Sequence, residues 1–259
     1  MRFLLPLVLC VLLFPQICFA GPMDDLNEAI VLIKRKGADD LKEARRLLTL
    51  LTQHADISEK IKARAYFYLS YCDENEKNLE YARTAINKDK EVSEYYYRYA
   101  QILYIMGKYS EAQTYLTEAI HLAHKGGNQQ YQYYRLAALC YFSEKDTLHA
   151  ERNIYKAIEL SPNNPELFLQ RGKILSDNGK IYKGLAIDDF KRAISLGISG
   201  EDRALCYIYV GMLHECDNST MNDAEEAYRM AYKYTDDKLL QKKLNRKIQS
   251  IKSLKKWNF

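Results

Sequence analysis

The chain has 259 residues, 47% of them hydrophobic, which is enough to bury a sizeable core and excludes disorder throughout. Its 5 prolines and 11 glycines are too few for a meander of short strands, and abundant Leu, Ala, Lys and Glu favour helices. The net charge is +4, but residues 236–259 alone hold eight cations against two acids, so the remainder is slightly acidic and carries no broad basic field for nucleic acid.

In chain order, Met1-Arg2 is followed by an apolar run over residues 3–14 and by Cys18-Phe19-Ala20, small residues placed where a signal peptidase cuts. Residues 1–20 are therefore expected to be a signal peptide, with the mature chain starting at Gly21 in the periplasm or outside the cell. The run contains Pro6 and falls short of the about 20 apolar residues that span a bilayer. Neither Cys10 nor Cys18 follows the small residue that lipid attachment requires. No later segment approaches spanning length, so no transmembrane segment is expected in the mature chain.

From residue 24 onward the sequence repeats itself. An alanine with a large apolar residue four positions later recurs at Ala44/Leu48, Ala82/Ile86, Ala112/Leu116, Ala150/Ile154, Ala186/Phe190 and Ala224/Tyr228. The gaps are 38, 30, 38, 36 and 38 residues. Upstream lies an aromatic residue with a small one four later: Tyr66/Ser70, Tyr96/Ala100, Tyr134/Ala138, Phe168/Gly172 and Tyr207/Gly211. Spacing of four puts both members on one face of a helix. The unit running through Tyr96, Tyr99, Ala100, Leu103, Gly107, Tyr109, Ala112, Leu116 and Ala119 is the clearest, and the next closes on Pro162.

The pattern resembles the tetratricopeptide repeat, a helix-turn-helix unit of about 34 residues whose small residues let two helices pack closely. The resemblance implies an all-α fold, a right-handed α-α superhelix of about six helix pairs over residues 21–235. Against the family's spacing, the first unit has Glu28 in place of an aromatic and the second is short before Tyr96. The fifth turns at Asn178-Gly179-Lys180 and holds about two extra residues before Ala186. Tyr96, Tyr99, Tyr134 and Tyr207 fall on packing positions and are expected in the core.

Four cysteines follow the signal segment: Cys72, Cys140, Cys206 and Cys216. All four read as unpaired, buried small hydrophobes, with Cys206 and Cys216 placed about 15 Å apart on one helix. In residues 236–259, Leu240, Leu244, Ile248, Ile251 and Leu254 form an apolar stripe between basic residues. This segment is expected to be a helix that caps the array; a contact of its basic face with an anionic membrane surface or an acidic partner is the other reading.

The resemblance further implies that the first helix of each pair lines a concave groove for a polypeptide. The family's groove positions correspond to Arg64, Phe67 and Tyr71, then Tyr97, Arg98, Gln101 and Tyr104, then Arg135, Leu139 and Phe142, with Lys173 and Met212 beyond. Aromatic and arginine side chains of this kind dominate binding hot spots. The Lys and Asn set with which some relatives hold a chaperone's C-terminal carboxylate is replaced here by Phe67, Tyr71, Tyr97 and Gln101. No nucleophile elbow, phosphate loop or metal motif occurs. His121 and His124 lack further ligands, and Asp188-Asp189 reads as a solvated helix face. The sequence therefore points to a protein or peptide partner, with no cofactor, no metal and no catalysis. The role expected is a scaffold or adaptor, or alternatively a structural subunit that packs permanently through its groove.

Overall fold

The computed structural model describes residues 21–72 and 77–257. Among these the chain forms thirteen α-helices, two single 3-10 turns and no strand. The segment read as a signal peptide lies outside the described residues. Two compact units divide the chain after residue 89.

The first unit holds two helix pairs, α1 (Pro22–Arg35) with α2 (Ala38–Gln53) and α3 (Glu59–Leu69) with α4 (Lys77–Lys88). Pro22 opens α1, where its missing N–H costs nothing, and the Gly21 N–H donates to the Asp24 carboxylate at 2.9 Å. The Ser58 hydroxyl accepts the Ile61 N–H at the start of α3. Leu26, Ala29, Leu48, Leu51, Ala65 and Leu69 form its core.

The second unit continues with α5 (Ser93–Ile105) and α6 (Tyr109–Lys125), α7 (Tyr131–Ser143) and α8 (Thr147–Leu160), and α9 (Pro165–Asp177) and α10 (Lys183–Ser195). It ends with α11 (Gly200–His214), α12 (Met221–Tyr234) and α13 (Lys238–Trp257). The helices of each pair pack together and the second packs on the first helix that follows, while α5 touches α7 and α9 touches α11. The first helices thus stand side by side. Between α9 and α10 a 3-10 turn, Lys180–Tyr182, takes up the extra residues that the spacing predicted.

All six repeat alanines sit on second helices and are fully buried, as are most of their large partners. A methyl group at the crossing lets helix axes approach closely. Two pairs go further: a Cβ on Gly172 would stand 2.7 Å from Phe190 Cε1, and one on Gly211 2.9 Å from Tyr228 Cε1. The turn after α5 uses Gly107 at φ 76, with the Lys108 N–H returning to the Leu103 carbonyl at 2.9 Å.

On α13, Leu244, Ile248 and Ile251 are buried against Ala224, Tyr228 and Ala231 of α12, whereas Leu254 is 49% exposed and lies off the end of the stripe. The Asp237 carboxylate accepts the Leu239 N–H at 2.8 Å and starts the helix. Buried Thr235 donates its hydroxyl to Glu201 of α11 at 2.8 Å, and Gln241 of α13 donates to the Thr235 carbonyl at 2.8 Å.

Three sequence expectations are corrected. Asp189 is 3% exposed, because the Arg171 guanidinium of α9 reaches it with both Nε and Nη2. Helix α11 stops at His214, so Cys216 lies beyond it and is exposed, while Cys72, Cys140 and Cys206 are buried; none of the four forms a disulfide among the described residues. Of the four tyrosines assigned to the core, all pack against it, but only Tyr99 is fully buried; Tyr96, Tyr134 and Tyr207 are half-buried.

Candidate functional site

In the first unit, Arg64 and Phe67 are half-buried on α3, and Tyr71 is exposed in the turn that follows. The Phe67 and Tyr71 rings meet edge to face at 5.4 Å. A spacing of four residues at the end of a helix brings them together.

In the second unit, Tyr97, Arg98, Gln101 and Tyr104 are half-buried on α5. The Tyr97 ring lies 4.7 Å from that of Tyr133 on α7, and its hydroxyl lies beside the Gln101 and Arg135 side chains. Burial raises the Tyr97 hydroxyl above its ordinary pKa, with Arg135 opposing, so the group stays neutral. Arg135 continues to Glu166 of α9 at 3.3 Å. A polar line therefore crosses three consecutive first helices. Tyr104 packs 5.4 Å from Tyr109 with Ser143 nearby, and its pKa too is raised by burial. Leu139 and Phe142 are half-buried further along α7. The Lys173 ammonium of α9 lies 5.9 Å from the Tyr209 ring of α11, and Met212 of α11 is exposed.

Among the described residues, four buried polar atoms on these helices have no hydrogen-bond partner: Gln101 Oε1 on α5, Arg135 Nε on α7, Gln170 Oε1 on α9 and His214 Nδ1 on α11. Leaving such an atom unsatisfied costs about 1–3 kcal/mol. Gln170 shares a face with Glu166 and Lys173, at spacings of four and three.

Sequence reasoning did not single out Tyr133, Glu166 or Gln170. Tyr133 had a signal: it stands 38 residues after Tyr95, and both are almost fully buried between repeats. The Tyr133 hydroxyl also lies 3.2 Å from that of buried Ser93. Glu166 and Gln170 gave none, because an acid and an amide near a helix start read as solvated. His121 is exposed with Nδ1 3.8 Å from Glu118, and among the described residues no three His, Cys, Asp or Glu side chains gather as a metal site requires.

Paired helices, small residues at the crossings and first helices ranged side by side define the class: this is a tetratricopeptide-like helical repeat protein. No family model matches the sequence. The human (Homo sapiens) tetratricopeptide repeat protein 13 is 29% identical over 185 residues, which is 68% of this chain and only 20% of that protein. Among solved structures, PilF of Pseudomonas aeruginosa is similar with a TM-score of 0.69 at 15% identity, over 87% of this chain and 97% of its own. PilW, a widely conserved type IV pilus biogenesis factor, has a TM-score of 0.63 at 16% identity, over 79% and 90%. YrrB, a repeat protein with an unusual peptide-binding site, has a TM-score of 0.55 at 15% identity, over 85% and 99%. At these identities the likeness is one of fold.

Proposed function

We propose that this chain is an exported binding scaffold whose first helices in the second unit, α5 to α11, hold a polypeptide partner. The observation that carries the reading is the row of half-buried aromatic and polar residues on that wall, among them Tyr97, Gln101, Tyr104 and Arg135. Leu139, Phe142 and Met212 supply apolar area beside them. YrrB, whose fold is similar, has a peptide-binding site, in keeping with such a role. Export belongs to the same proposal and rests on the sequence of residues 1–20; no helix among the described residues is long and apolar enough to cross a membrane. Residues 236–259 are proposed to close the array.

The test uses the full chain as bait in its host's extract, beside a Gln101→Ala/Lys173→Ala variant and a Lys243→Gln control. One partner retained by the wild type and the control but lost by the double variant is expected. Equal retention by all three ends the groove reading. Light scattering that finds a stable homo-oligomer whose Leu139 and Met212 are shielded from labelling favours the structural-subunit alternative.

A further inference from the structure

Helix α13 carries eight basic residues and no acidic one. Its apolar stripe is spent on α12, so the cations from Lys238 to Lys247 divide between its two flanks. Lys243 and Lys247 turn toward α11, where Lys247 Nζ lies 2.9 Å from Glu215 Oε2. Lys238, Lys242 and Arg246 take the other flank. With Gln241, Asn245 and Gln249, and Tyr232 from α12, they line an open cleft of about 630 Å³.

The chemistry of that cleft is one-sided. The cations recur at every fourth position, and so do the amides, giving two parallel rows with steps of about 6 Å along the axis. None of the three cations makes an ion pair among the described residues. Gln241 spends an amide N–H on the Thr235 carbonyl, which leaves Asn245 and Gln249 as the uncharged donors facing the opening. Tyr232 is 37% exposed and adds a flat apolar edge with a hydroxyl. Cations and amide donors in register complement carboxylates, and rows with one-turn steps match a helical segment with fixed carboxylate spacing, which lipid headgroups lack.

We infer that the α12–α13 cleft is a second docking site, which takes an acidic helical segment of a partner protein with carboxylates one turn apart. Carboxylates at every fourth position of a helix match the spacing of Lys238, Lys242 and Arg246. The inference stands independently of the first-helix wall, since no residue is shared.

The experiment titrates the full chain against a fluorescent alanine-rich helical peptide with glutamate at every fourth position, and in parallel against vesicles containing phosphatidylglycerol. Peptide binding is expected to weaken as salt is raised. The pair Lys242→Glu/Arg246→Glu should lower peptide affinity at least about ten-fold, and Lys242→Gln/Arg246→Gln should lower it less. The charge-matched pair Lys243→Glu/Lys252→Glu, outside the cleft, should change it little. Melting temperatures of all variants check that the fold is intact. Equal loss with both glutamate pairs would mean a diffuse basic field and overturn the site. So would absent peptide binding, or tight vesicle binding abolished by the cleft pair with the peptide bound weakly.

Discussion

The ring of Phe190 on α10 lies against the backbone of Gly172 on α9, so close that an added methyl carbon would stand 2.7 Å from its Cε1 and 2.8 Å from its Cζ. Gly211 and Tyr228 repeat the arrangement one pair later. Where the small residue is alanine instead, as at Ala100 and Ala138, the matching residue of the second helix is aliphatic, Leu116 or Ile154, and all four are buried. Volume lost on one helix is returned on the other.

Gly172→Ala should therefore destabilise the chain by about 1–3 kcal/mol through overpacking. Alanine's helix propensity, better by up to about 1 kcal/mol, pulls the other way and loses. Adding Phe190→Leu should restore most of the loss, so that the double variant is more stable than the sum of the singles predicts. Urea denaturation of the four proteins reads this directly. A stabilised Gly172→Ala would show that the crossing has room.

This compensation explains why so much of the fold was legible. Repeated alanines, their apolar partners and the switch from alanine to glycine all obey a fixed spacing, so each element announces itself several times. Single residues with no counterpart elsewhere were not legible. Asp189 has polar surroundings in sequence, and only the arrival of Arg171, 18 residues earlier, makes its burial tolerable. The line from Tyr97 through Arg135 to Glu166 depends on which side chains meet across first helices, which repeat spacing alone does not specify. The aromatic residues proposed for the wall stand out by type; the burial of the Gln101 and Gln170 side-chain oxygens has no such mark in the sequence.

The Arg171–Asp189 pair makes a sharp prediction. Arg171 Nε donates to Asp189 Oδ2 at 2.8 Å, and its guanidinium lies 4.6 Å from the Tyr155 ring and 5.5 Å from the Phe168 ring. Burial pushes the Asp189 carboxyl up, and the guanidinium pulls it back. Asp189→Ala strands a half-buried cation and should cost about 3–5 kcal/mol. Arg171→Met/Asp189→Leu removes both charges and should come out close to neutral, because desolvating two ions offsets much of what their attraction returns. Thermal or chemical denaturation separates the cases. A double variant as unstable as Asp189→Ala would mean that the pair holds α9 to α10 by more than mutual neutralisation.

His214 sets the expected response to acid. It closes α11, its Nδ1 is buried with no hydrogen-bond partner, and the nearest carboxylate, Asp223 Oδ2 of α12, is 3.9 Å away. Burial lowers its pKa; Asp223 opposes this, while Lys183 and Lys191 from α10 add to it. The folded chain thus binds this proton less readily than the unfolded chain. The stability contributed is fully present above the unfolded value of about 6.5 and is lost as pH falls from there through the folded value. Between about pH 7.5 and about pH 5.5 the melting temperature should drop. His214→Gln keeps a polar side chain of similar reach but takes up no proton, so its drop over the same interval should be smaller. Parallel melting curves for the two proteins across that range would remove His214 from the acid response and leave the carboxylates to account for it.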